Sequence, residues 1–122
     1  MKSSVLIVED NKDLADFYRI ILEEQQYSVA LVENLEDTLS HLKKNTCDLV
    51  LLDLLLEEDS GKDILKEIKR LFTIPVVIIS NLPHERNECL SLGAVGFIVK
   101  SETEPEGILE VVKKFASKKC LE

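Results

Sequence analysis

Five apolar runs recur along the chain, and between them apolar residues return every three or four positions. The runs are Ser4-Val5-Leu6-Ile7-Val8, Tyr27-Ser28-Val29-Ala30-Leu31-Val32, Asp48-Leu49-Val50-Leu51-Leu52, Pro75-Val76-Val77-Ile78-Ile79 and Val95-Gly96-Phe97-Ile98-Val99. Continuous apolarity of that length predicts strands covered on both faces, as in a parallel sheet. The intervening segments carry the longer period of helices. Asn11 caps a predicted helix with Leu14, Phe17, Tyr18 and Ile21 inward, and Asn34 caps a second with Leu35, Leu39 and Leu42 on one face. Ser60-Gly61 opens a third, with Ile64, Leu65, Ile68, Leu71 and Phe72 inward and Lys62, Lys66, Glu67, Lys69 and Arg70 outward. Pro83 suits the first turn of a short fourth helix that stops at Gly93, and a fifth runs from Glu104 to about Ser117.

Strand and helix alternate with short connections. Right-handed crossovers then predict an α/β fold: a three-layer, doubly wound sandwich with a five-stranded parallel sheet of order 2-1-3-4-5 and five helices. At 122 residues the chain is the size of one domain, expected over residues 1–120, with Leu121-Glu122 reading as a cloning remnant. Apolar residues at 45% and charged residues at 31% exclude a disordered chain.

A net charge of −8 argues against electrostatic binding of nucleic acid or an anionic membrane surface. Lys113, Lys114, Lys118 and Lys119 close the last helix and Glu104, Glu106 and Glu110 open it, an order that matches the helix dipole better than a nucleic-acid patch. No apolar stretch approaches the roughly 20 residues that span a bilayer. Cys47, Cys89 and Cys120 are odd in number and far apart, which predicts unpaired thiols and a cytoplasmic location, with Cys89 half-buried. His41 and His84 have no partner at metal-binding spacing and read as surface residues.

Four of the runs end in residues suited to a phosphoryl group: Glu9-Asp10, Asp53, Ser80 and Lys100. Open parallel sheets bind ligands at the carboxyl ends of their strands, so these groups are expected to converge. Mg²⁺ takes one or two carboxylates and keeps waters, which makes Asp10 and Asp53 candidate ligands and places Glu9 behind a water. Acids at strand exits are often merely solvated. Three of them side by side repel one another unless something positive sits between. Lys100 is a point charge for phosphate and Ser80 a hydroxyl donor. A carboxylate nucleophile that forms an aspartyl phosphate needs this set of groups.

Taken in order on these elements, the residues Glu9-Asp10, Asp53, Ser80 and Lys100, with Phe97 three before the lysine and Gly61 after the acceptor, carry a resemblance. The chain resembles the receiver domains of two-component response regulators, with the flavodoxin-like fold of chemotaxis regulators. The resemblance implies phosphoryl transfer from a histidine kinase or phosphotransfer protein to Asp53, with Mg²⁺ held by Asp10, Asp53 and the Leu55 carbonyl and supported by Glu9. It implies that Ser80 and Lys100 engage the phosphoryl oxygens and that Phe97 rotates inward. The face of helix four, strand five and helix five then changes toward a downstream effector domain or protein, in a monomer or a phosphorylation-dependent homodimer. The chain is expected to be a signalling phosphoacceptor rather than an enzyme with an external substrate.

Three positions depart from the family pattern. Ser101 stands where a proline usually follows the lysine, Glu57 where a proline is common, and Asn81 where alanine or glycine is usual, narrowing access to Asp53. They motivate the alternative of a pseudo-receiver, a protein-interaction module whose site does not turn over. A phosphatase using Asp53 as nucleophile wants a second aspartate two residues on, where Leu55 stands.

Overall fold

The structure, a computed structural model, describes residues 2–116. The expectations for Ser117, Lys118, Lys119, Cys120 and Leu121-Glu122 fall outside the described residues. Five strands, β1 (Ser4–Val8), β2 (Ser28–Val32), β3 (Leu49–Asp53), β4 (Val76–Ser80) and β5 (Gly96–Val99), alternate with α1 (Lys12–Glu24), α2 (Leu35–Lys44), α3 (Gly61–Leu71), α4 (Arg86–Ser91) and α5 (Pro105–Ala116). All strand pairs are parallel and the order is β2-β1-β3-β4-β5, as the alternation predicts.

Alternate strand residues enter opposite layers because side chains alternate across a strand. Leu6, Val8, Val50, Leu52, Val76 and Ile78 pack with Leu42 of α2 and Ile64, Leu65 and Ile68 of α3. Val5, Ile7, Leu49, Leu51, Val77 and Ile79 face the other way, against Tyr18 and Leu22 of α1 and Ile108, Val112 and Ala116 of α5. β3 and β4, in the middle of the sheet, are buried along their whole length, whereas β2 at the edge is half-exposed.

Local chemistry sets the helix ends. Asn11 Oδ1 accepts from Leu14 N–H, Asn34 Oδ1 from Asp37 N–H and Ser60 Oγ from Lys62 N–H, satisfying donors that a first turn leaves free. Pro83 opens a single 3₁₀ turn, Pro83–Glu85, ahead of α4. α4 ends on Gly93 at φ +114°, with Gly93 N–H on Leu90 O and Ala94 N–H on Cys89 O, the paired bonds of a Schellman stop.

Four side chains differ from expectation. Phe17 and Leu71 are 46% and 43% exposed, and Leu22 takes the inward place on α1. Ala15, Tyr18 and Leu22 form the buried stripe. Phe17 lies one residue off it, which turns it about 100° around the helix. Cys89 is fully buried rather than half-buried, and burial pushes its thiol above the ordinary value, which disfavours the reactive thiolate.

α3 begins against the end of β3. A Cβ on Gly61 would stand 2.5 Å from both the Asp53 carbonyl oxygen and Leu54 Cα. Neither backbone atom can turn away as a side chain would, so Gly61→Ala is expected to cost about 3 kcal/mol. Chemical denaturation checks this, and an unchanged midpoint would contradict the close approach.

Candidate phosphoryl site

Strand register brings the predicted groups together. Val8 pairs with Leu52, so Glu9 leaves β1 beside Asp53, the last residue of β3. Ser80 ends β4 opposite Val99, so Lys100 leaves β5 one step further on. Its stem carries the ammonium back over the sheet: Lys100 Nζ donates to Asp53 Oδ2 at 2.9 Å and lies 3.5 Å from Glu9 Oε1. Glu9 and Asp53 are 4% and 6% exposed, which makes this an ion cluster largely withdrawn from water.

Backbone amides hold the carboxylates in place. Leu55 N–H donates to Asp53 Oδ1 and Asn11 N–H to Glu9 Oε2, both at 3.2 Å. Asp10, only half-buried, accepts from Glu57 N–H at 2.7 Å and thereby ties the β3–α3 loop to the end of β1. Ser80 is 1% exposed, and its Oγ accepts from Leu82 N–H at 2.9 Å. Phe97 is 8% exposed and packed among the core residues on the α3 side, so the ring is already inward; the inward rotation implied by the resemblance has no outward starting point here. Arg86 of α4 donates to the Phe97 carbonyl at 3.4 Å.

One ammonium serves two buried carboxylates, and the charges show the deficit. Burial raises the Glu9 carboxyl to about 7, helped by its hydrogen bond with Asp53 and the Asp53 charge, while Asn11 N–H and Lys100 oppose the rise. Burial also works against charged Lys100, but its hydrogen bond to Asp53 and the charges of Asp53 and Glu9 outweigh that and raise it above the ordinary lysine value. Among the described residues no three His, Cys, Asp or Glu side chains form a ready-made metal cage. The oxygen donors of Asp10, Asp53 and the Leu55 carbonyl nonetheless suit Mg²⁺, which takes few carboxylates and retains waters. A surplus of negative charge in a site of low exposure is what a hard cation relieves.

Residues 5–113 match the sequence profile of the family described as the response regulator receiver domain. The chain belongs to that family. The receiver domain is 35% identical over 100 residues to the response regulator ArlR of Staphylococcus saprophyticus, covering 80% of this chain and 46% of that protein. It is 31% identical over 111 residues to the sensory transduction protein RegX3 of Mycolicibacterium smegmatis, covering 89% of this chain and 49% of that one. The chain thus spans about half the length of these relatives. Among solved structures it is similar to the response regulator TrrA of Thermotoga maritima in complex with Mg²⁺-BeF, with a TM-score of 0.82, 29% identity, and coverage of 94% of this chain and 99% of that one.

The departures from the family pattern find physical roles in this receiver domain. Every described peptide bond is trans, Lys100–Ser101 included, and Lys100–Glu102 forms a 3₁₀ turn. Asn81 Oδ1 accepts from Ser101 N–H at 2.8 Å. Of the acidic loop, Glu57 contributes its N–H to Asp10, and Asp59 Oδ2 accepts from Leu35 N–H at 2.8 Å, capping α2 from across the chain. Lys62, expected outward, forms ion pairs with Glu85 and with Glu88 at 2.7 Å, joining the start of α3 to α4. His84 is exposed, as expected, while burial lowers the half-buried His41.

The raised Glu9 carboxyl sets a pH dependence. Between about 4.5, its ordinary value, and about 7 the folded chain holds a proton that the unfolded chain has lost. Stability contributed by that proton is present below the lower value and lost as pH rises through the upper one. Glu9→Gln keeps the shape without the charge. Its melting temperature is expected to fall less than that of wild type across this window and to exceed it above. Parallel slopes in a pH series of thermal melts would contradict the assignment.

Proposed function

We propose that the chain is a working phosphoacceptor and that Asp53 takes a phosphoryl group from the phosphohistidine of a kinase or phosphotransfer protein. An Asp53 carboxylate oxygen bonds to phosphorus as the donor's phosphorus–nitrogen bond breaks, and the released imidazole keeps that electron pair. The observation that carries this reading is Lys100 Nζ at 2.9 Å from an Asp53 carboxylate that is 6% exposed at a strand end. The ammonium that holds the free carboxylate is already placed for the charge on the phosphoryl oxygens. Asp10, Asp53 and the Leu55 carbonyl would hold Mg²⁺, with Glu9 behind a water; bound there, the cation supplies charge that offsets the phosphoryl oxygens.

Ser80 and Phe97 are the switch residues. Ser80 Oγ accepts from Leu82 N–H, which leaves its own proton for a phosphoryl oxygen. A shift at Ser80 therefore bears on Leu82 and, through the turn Pro83–Glu85, on α4. With Phe97 already inside, the phosphoryl group favours an arrangement of α4, β5 and α5 that the aromatic ring does not oppose. That face would meet a downstream effector domain or protein, in a monomer or a phosphorylation-dependent dimer. This role and the free thiols Cys47 and Cys89 fit a cytoplasmic protein, and no described helix is long and apolar enough to cross a membrane.

Intact mass after incubation with Mg²⁺ and a small acyl-phosphate donor tests the proposal. One phosphoryl group on wild type is expected, absent from Asp53→Ala and prevented by adding chelator before the donor. An unmodified wild type would favour the pseudo-receiver instead.

A further inference from the structure

The β4–β5 ladder ends at the pair Ser80–Val99. One residue beyond Ser80, a side chain takes over from the backbone: Asn81 Oδ1 accepts from Ser101 N–H at 2.8 Å. The turn Lys100–Glu102 has no side-chain cap of its own. The first N–H groups of such a turn have no partner within it. Asn81 supplies an acceptor for one of them from the neighbouring strand. Asn81 is bonded to Ser80 and Ser101 to Lys100, so this hydrogen bond joins the chain at the two residues proposed to address the phosphoryl oxygens. The same two positions are where the sequence departs from the family's alanine or glycine and proline.

We infer that Asn81 is a positioning residue, which fixes the exit of Lys100 from β5 through the Ser101 amide and so aims the ammonium at Asp53. The inference rests on the phosphoacceptor reading. A side chain at position 81 that acted only by bulk would narrow access to Asp53, and removing it would speed phosphorylation. An acceptor that positions Lys100 has the opposite sign: removing it slows the reaction. The Ser101 side chain has no part in the bond, since the backbone N–H is the donor.

The test is the rate of phosphoryl adduct formation with Mg²⁺ and a small acyl-phosphate donor, measured over a range of donor concentrations. Wild type, Asn81→Ala, Asn81→Leu and Ser101→Ala are compared, with a thermal melt of each. Loss of one hydrogen bond predicts a saturating rate about three- to tenfold lower in both Asn81 variants. The donor concentration for half-maximal rate is expected to stay near that of wild type, and Ser101→Ala to keep the wild-type rate. Asn81→Leu keeps the bulk without the acceptor, so slowing in both variants is specific to the lost bond. A saturating rate in Asn81→Ala equal to or above that of wild type, with wild type modified, overturns the inference and leaves the phosphoacceptor reading standing. A wild type that takes no phosphoryl group overturns both.

Discussion

Asp53 and Glu9 place two carboxylates, 6% and 4% exposed, at the carboxyl edge of a sheet whose interior is hydrocarbon, and one ammonium faces both. At this exposure neither water nor salt screens the charges well, so the arrangement is stable only with a cation close by or a proton retained. The protein uses both. Lys100 is held above the ordinary lysine value by the acids, and Glu9 keeps its proton into the neutral range. In the proposed phosphoacceptor, a divalent cation or a phosphoryl group joining this cluster would change its charge balance. That is the physical basis for reading it as a switch.

The fold exists around this edge in a concrete sense. The register of β1 on β3 puts Glu9 beside Asp53, and the register of β4 on β5 puts Ser80 and Lys100 at matching heights. The loop after β3 is held at two points, by Asp10 on the Glu57 amide and by Asp59 on the first turn of α2. Gly61 then lets α3 start in contact with the Asp53 backbone. On the far side Lys62 ties α3 to α4 through Glu85 and Glu88, while Arg86 ties α4 to the Phe97 carbonyl. These hydrogen bonds and ion pairs join elements that also share a buried apolar cluster, with Leu54, Ile64, Cys89 and Phe97 among its members.

What was legible in the sequence was local or periodic. Apolar runs named the strands, Asn11, Asn34 and Ser60 named three helix starts, and Gly93 named a helix end, because each signal acts within a few residues. The candidate site was legible because parallel topology gathers strand ends, so five residues far apart in sequence could be assigned to one place. Helical spacing alone does not say how wide the buried stripe is, which leaves Phe17 and Leu71 outside it. The bonds Asn81–Ser101 and Asp59–Leu35 join residues 20 and 24 apart, through a polar side chain and a backbone amide. Nothing in the residue types marks such a pair in advance. In the sequence Ser101 and Asn81 are two separate departures, and only geometry makes them partners.

The most direct test of the convergence on Asp53 is a crystal structure of the protein with Mg²⁺ and beryllofluoride bound. The beryllium is expected on an Asp53 oxygen, with Lys100 Nζ and Ser80 Oγ both within hydrogen-bond distance of its fluorines. A complex in which beryllofluoride sits elsewhere, or in which Lys100 points away from it, would contradict the convergence on Asp53.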